Sequence, residues 1–379
     1  MRLRALIFIA PLTLLLLLSP YPERVVNFFF DKNPPSIKLS APAGKVRGEI
    51  EVGLEVWDRN EPMITKVSIS KRELEPVLPI RVDTTALPDG EHTIRVEVSD
   101  SSWRKNLAYA EVTFTVDNTP PDIELVWEKK VAEPGGVAWG WIKVSEPVPF
   151  LKSTLDGVDF PFLPLSSFNS FFIITGFPID NPPAESNLLI EALDEAGNHS
   201  IKEEIIHLKA RFFPWEVIRL PPDRAPLLDP ELLRREKELV EKVLKMLTSE
   251  SFLEGDFLLP VEGEIVSPFG ARRKINGSYM RHRGVDFKAK EGTPIYATNS
   301  GYVGLAAPLM VRGNTLILDH GLGVMSLYYH LQDIKVKEGD WVKKGDIIGT
   351  VGDTGLSTAP HLHFEIRIRG TAIDPRHLF

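Results

Sequence analysis

The residues most able to do chemistry lie in two short stretches. Arg281-His282-Arg283-Gly284-Val285-Asp286-Phe287 carries the spacing H-x-x-x-D, and Pro360-His361-Leu362-His363-Phe364-Glu365 carries H-x-H. Between them lies Tyr328-Tyr329-His330-Leu331. Two histidines and a carboxylate make a borderline-hard nitrogen and oxygen donor set that suits Zn²⁺. Three protein ligands leave a fourth position open, which a catalytic metal needs.

A His and an Asp four apart on a helix would form only a surface ion pair. Here Gly284 falls between them, and Val285 and Phe287 flank the Asp. That composition favours a loop entering a strand. On a strand, His361 and His363 point to the same face. Two histidines facing one way beside a His–Asp pair are poorly explained by packing.

These stretches resemble the lysostaphin/LytM-type zinc metallopeptidases, which cut peptide bonds of bacterial peptidoglycan. The resemblance runs from about Pro260 to Phe379. It includes Ser267-Pro268-Phe269-Gly270, Ala297 to Gly301, Gly313-Asn314, His320-Gly321, His330-Leu331, Gly339-Asp340, Lys344-Gly345 and Gly355 to Glu365. It implies that His282, Asp286 and His363 hold zinc and that His330 and His361 flank the reacting water and carbonyl. It further implies an antiparallel sheet with a narrow groove. His361 is assigned as general base and His330 as donor to the tetrahedral intermediate, with the two roles exchangeable. Arg272, Asn314 and His320 are candidate substrate contacts, although His320 also suits a turn. Arg272 and Arg273 either line the groove and bind an acidic stem peptide or pair with the domain's own carboxylates.

Composition bounds the other possibilities. The chain has 379 residues and a formal net charge of −8. No basic stripe is available to release counterions, so nucleic acid is excluded as the main partner. Cysteine is absent, which removes disulfides, thiolate metal sites and lipoprotein anchoring. Arg2 and Arg4 precede an apolar run from Ala5 to Leu18. Fourteen residues span roughly 21 Å as helix, short of the ~30 Å hydrocarbon core. The run reads as an export signal, either cleaved or retained as an inner-membrane anchor over residues 5–19. Both place the body outside the cytoplasm, in the bacterial cell envelope.

Upstream of the motifs lies a weak internal repeat. Pro34-Pro35-Ser36-Ile37-Lys38-Leu39 is echoed by Pro120-Pro121-Asp122-Ile123-Glu124-Leu125. Each copy holds short alternating strands, a late one running into a polar turn that reaches Asn106 or Asn198, and a last strand, Ala110 to Val116 or Ile201 to Leu208, closes it. Such spacing predicts immunoglobulin-like β-sandwiches, serving as a spacer or as a surface for the wall or envelope proteins. After a Pro-rich link, Asp229 and Pro230 open an amphipathic helix of about 18–20 residues, whose apolar stripe is interrupted at Glu236-Lys237. Its outer side offers Glu238-Lys242 and Glu241-Lys245 pairs. Val336 to Asp346 also resembles a lipoyl-carrier hairpin, but no Met-Lys-Met turn is present.

The sequence thus predicts a mainly β protein. Residues 1–30 are a signal peptide or membrane anchor, and 34–118 and 119–210 are immunoglobulin-like sandwiches. Residues 211–256 form the linker and helix, and 257–379 the zinc peptidase domain. The expected activity is hydrolysis of peptidoglycan stem peptides or cross-bridges. A non-catalytic wall-binding or amidase-activating relative, or a protease acting on proteins, would share the fold. The first of these would have lost ligands that this sequence keeps.

Overall fold

The computed structural model describes residues 19–160, 163–164 and 169–379. The apolar run Ala5–Leu18 lies outside them. Among the described residues, no helix is long and apolar enough to cross a membrane. The first described helix, α1 (Pro22–Phe30), buries none of its residues and exposes Val26, Phe28 and Phe30.

The chain is mainly β and forms two compact units. The first is built on the chain up to Pro121, with Val148–Phe150 and Leu193–Ser200. Its strands form a three-stranded sheet (Ser36–Ser40, Glu49–Trp57, Ile80–Asp83) and a five-stranded sheet centred on Gly90–Ser99 and Leu107–Val116. Both contribute to one core, in which Ile50, Val52 and Ile80 meet Val67, Ile94, Val96 and Phe114. The period-2 alternation legible in the sequence is what puts these residues on the inner faces.

The second unit comprises Asp122–Pro147, Leu151–Ala192 and Ile201–Phe379. It contains two four-stranded sheets and a ten-stranded, largely antiparallel sheet. Val137, Ile174 and Ile179 share a single apolar core with Phe269, Phe287, Phe364 and Ile373. The four-stranded sheet that holds Val137–Val144 and Ser170–Gly176 is therefore packed into the core of the C-terminal region. Trp139 and Trp141 are partly buried against Phe172, and Trp127 donates to Glu204 at 2.9 Å.

In the ten-stranded sheet, His361–Ile368 lies between Val285–Lys288 and Val324–Ile334. The register sets Asp286 opposite His363 on one side and Tyr329 opposite His363 on the other. Gly284 permits this approach, because a Cβ there would stand 2.2 Å from the Phe364 carbonyl oxygen. Strands are observed near every position expected after residue 257. The hairpin Arg272–Ile275/Ser278–Arg281, which was not foreseen, turns on Asn276 and Gly277. Both have positive φ (45° and 92°), as a two-residue hairpin turn requires.

Helix α2 spans Pro230–Leu244, 15 residues, shorter than expected because Lys245 caps it. Asp229 accepts from the Glu231 and Leu232 amides, as the capping residue should. The helix packs on its own chain, with Val240, Val243 and Leu244 against Leu305, Ile317, Leu327 and Tyr329. The expected Glu238–Lys242 and Glu241–Lys245 pairs give way to Arg234 with Glu231 and Glu238, and Lys237 with Glu241.

The polar break in the stripe has a definite role. Glu236 is buried and accepts from the Val311 and Arg312 amides at 2.7 and 3.2 Å and from the Arg312 guanidinium at 3.1 Å. The Arg312 carbonyl in turn accepts from the His330 amide at 3.0 Å. Glu236→Ala would leave buried donors without acceptors. It should lower unfolding free energy by about 2–4 kcal/mol, with Glu236→Gln costing clearly less, as read from urea midpoints at neutral pH.

Candidate metal and peptidase site

A groove of about 890 Å³ opens over the Asp286–His363 pair. One wall is helix α2, through Leu233, Val240 and Leu244. The other is the unforeseen hairpin, through Arg273, Ile275 and Met280. His282, Asp286, His330, His361 and His363 all line it.

Three donor atoms converge at the base of the groove. His282 Nε2 lies 3.0 Å from Asp286 Oδ1, His363 Nδ1 lies 2.8 Å from the same oxygen, and the two nitrogens are 3.0 Å apart. A tetrahedral zinc with bonds near 2.05 Å needs its ligand atoms about 3.3 Å apart, so a small opening of this triad accommodates it. The outer nitrogen of each ring has an acceptor for a proton. His282 Nδ1–H donates to the Pro268 carbonyl at 2.9 Å, and His363 Nε2–H donates to Glu365 at 3.0 Å. With both rings neutral, three lone pairs face one another with no hydrogen between them. Such an arrangement calls for a cation, and the residues present fit one.

Outer partners hold these side chains in place. Arg367 braces Glu365 through Nε at 2.7 Å. Tyr329 stacks on the His363 ring, at 5.3 Å between centroids and 8° between planes. Burial works against charge on Asp286, yet the His282 and His363 rings hold its carboxyl well below the usual range. Burial likewise disfavours protonated His363, but its hydrogen bonds to Asp286 and Glu365 leave it raised.

The two remaining histidines sit beside the triad. His361 Nε2 is 3.9 Å from Asp286 Oδ1, and the His330 and His361 ring centroids are 4.8 Å apart. His361 Nδ1–H donates to the Ala359 carbonyl and His330 Nδ1–H to the Thr354 carbonyl, each at 2.8 Å. In their neutral forms both rings therefore keep Nε2 as a lone pair. Burial pulls both pKa values down, and for His330 the neighbouring His361 and His363 add to the effect. His330 has φ of 63°. A non-glycine residue in that region is strained and is held there by its surroundings, here the Arg312 and Thr354 carbonyls.

The five motif residues are thus brought together, and the three candidate substrate contacts are not among the groove-lining residues. Arg272 stacks over Trp215, 5.6 Å from the ring centroid. It lies on the opposite face of its strand from Arg273, which takes the groove position. Asn314 donates to the Gln332 carbonyl at 2.8 Å. His320 is fully buried, with Nδ1 2.8 Å from the Ser300 carbonyl and Nε2 2.7 Å from Ser326 Oγ. Strand parity, hidden until the hairpin register is known, decides the first case. Burial decides the last. Sequence reading missed Tyr329, Glu365 and Arg367 as supports, although their alternation around His330 and His363 was available.

Burial depresses the His320 pKa to about 4. A base depressed in the folded state favours folding fully above its unfolded value near 6.5. That contribution is lost as pH falls from about 6.5 towards 4. At pH 5 the loss should be about 2 kcal/mol. The drop in unfolding free energy between pH 7.5 and 5 should be smaller by that amount in His320→Gln, measured by urea titration at both pH values.

Comparison with known proteins agrees with this geometry. The sequence model of Peptidase family M23 matches residues 280–375. The DD-carboxypeptidase/endopeptidase Mpg of Neisseria meningitidis is 41% identical over 112 residues, 29% of this chain and 26% of that protein. Peptidoglycan DD-endopeptidase ShyC of Vibrio cholerae is 40% identical over 114 residues, 30% of this chain and 26% of that protein. The solved catalytic domain of lysostaphin from Staphylococcus simulans is 40% identical, with 30% of this chain and 90% of that one covered and a TM-score of 0.28. The matches cover about a quarter of the length of these curated relatives. A β-sheet groove with a His, Asp, His donor set at its base defines a metallopeptidase-type site. The C-terminal region of the chain, at residues 280–375, carries a Peptidase family M23 domain.

Proposed function

We propose that the protein is an exported zinc endopeptidase that hydrolyses peptide cross-links of peptidoglycan. The observation that carries this reading is the convergence of His282 Nε2, His363 Nδ1 and Asp286 Oδ1 to within 3.0 Å of one another, beside two histidines whose neutral forms present Nε2 as a base. His282, Asp286 and His363 would hold Zn²⁺, which supplies a Lewis acid that polarises the scissile carbonyl and brings the pKa of a water to about 7. His361 accepts the proton of the attacking water at Nε2 and returns it to the leaving amine. His330 takes up a solvent proton at Nε2 as the oxyanion's charge develops, donates it in a hydrogen bond to that oxygen, and releases it to solvent when the carbonyl re-forms. The relatives named as peptidoglycan DD-endopeptidases support the substrate class. Retention of all three ligands and both bases favours an enzyme over a binding-only member of the fold. The apolar run before Ser19 would serve as export signal or membrane anchor, and the upstream β modules as the spacer that sets the reach of the groove.

The test is to load the full chain with zinc, quantify the metal and incubate the protein with purified peptidoglycan. One zinc per chain and release of fragments with newly exposed peptide termini are expected, and mass spectrometry of the fragments would name the bond. Zinc without release from peptidoglycan, but with cleavage of an unfolded protein, would replace the substrate assignment. Absence of zinc would overturn the reading.

A further inference from the structure

We infer that Arg273 and Glu216 are positioning residues for the metal-ligating carboxylate, an assignment that rests on the metal reading above. Asp286 divides its two oxygens. Oδ1 faces His282 and His363, whereas Oδ2 accepts from Arg273 Nη2. Arg273 is itself held on two sides, with Nε donating to Glu216 at 3.0 Å and Nη2 to Ser267 Oγ at 2.7 Å. Ser267 Oγ donates to the same Glu216 carboxylate at 2.7 Å. The resulting chain, Glu216 to Arg273 to Asp286, ends on a ligand atom's own carboxyl group.

The fold explains why these residues meet. Strand Trp215–Ile218 pairs in parallel with Arg272–Ile275, placing Glu216 opposite Arg273. Both therefore point to the groove face, while Trp215 and Arg272 point away. Glu216 lies well upstream of the family match at residues 280–375, so this strand adds an outer support to the site from a separate segment.

A carboxylate can ligate through one oxygen or two. With Oδ2 engaged by a guanidinium, only Oδ1 remains for the metal and the plane of the group is fixed. The Arg273 side chain is 15% exposed and that of Asp286 9%, so solvent competes little for this bond. Arginine alone among the cations can satisfy Glu216, Ser267 and Asp286 from one planar fork. Glu216 also balances a positive charge that would otherwise oppose a divalent cation.

The experiment measures zinc affinity of the full chain by competition with a chromophoric chelator, alongside urea midpoints of the metal-free proteins. Arg273→Met should weaken zinc about 10–100-fold, and Arg273→Lys should restore little of it. Glu216→Gln should weaken zinc in the wild-type background and add almost nothing in Arg273→Met, because it acts through Arg273. Trp215→Ala, on the same strand but the opposite face, should leave zinc affinity unchanged. Affinity unchanged in Arg273→Met, with only the metal-free midpoint lowered, would reduce Arg273 to a hairpin support and overturn the inference. Tighter zinc in Arg273→Met would overturn it too, showing that repulsion outweighs orientation. Failure of the underlying metal reading would look different, since the unmodified chain would then bind no zinc.

Discussion

On the function proposed above, His363→Ala in the full chain should abolish stoichiometric zinc and reduce peptidoglycan hydrolysis by at least about 10³-fold, more than the 10–100-fold expected for loss of an outer partner. His363 is the centre of the site. Its Nδ1 completes the donor triad, its Nε2–H is fixed by Glu365, and Tyr329 stacks on its ring. Removing the imidazole leaves His282 and Asp286 as two ligands, too few to hold Zn²⁺ in competition with buffer. It also strips Glu365 of a hydrogen-bond donor in a buried setting. Arg367 still pairs with that carboxylate, so the fold should survive and the metal-free protein should keep its far-ultraviolet spectrum. Zinc bound at wild-type affinity by His363→Ala would sink the ligand assignment.

His361→Ala should give the contrasting result. The His361 ring touches the triad only at 3.9 Å and is fixed by the Ala359 carbonyl. Its loss should therefore spare the zinc content while lowering kcat by about 10²–10⁴-fold, the range for a positioned general base. His330→Ala belongs to the same experiment. If His361 is the base and His330 the oxyanion donor, both variants keep zinc and lose kcat with little change in KM. His361→Ala with wild-type kcat would move the base role to His330, whose Nε2 is equally free of a proton. Together with His363→Ala, these variants separate metal binding from proton transfer.

Much of the site was legible in the sequence because strand periodicity is a local rule. H-x-H on a strand must present both side chains on one face, and Gly284 between His282 and Asp286 excludes a helical pair. The capping residue Asp229 and the apolar stripe of α2 were equally local. The Asn276-Gly277 pair announced a hairpin that was overlooked, and with it the parity that sends Arg273 rather than Arg272 to the groove.

Other features depend on segments far apart in the chain, and no local pattern encodes them. Glu236 reads as a flaw in an amphipathic stripe until the 311–312 loop is seen to need a buried acceptor. Glu216 reads as a strand residue until parallel pairing sets it against Arg273 and, through it, Asp286. His320 carries a family-like motif, yet burial turns it into a structural hydrogen-bonding group. The sequence by itself determined which side chains could hold a metal and move a proton, since residue type and spacing along one strand set these. Tertiary structure alone decided which groups orient them and which elements wall the groove, because those contacts join positions separated by tens of residues, and only packing brings them together.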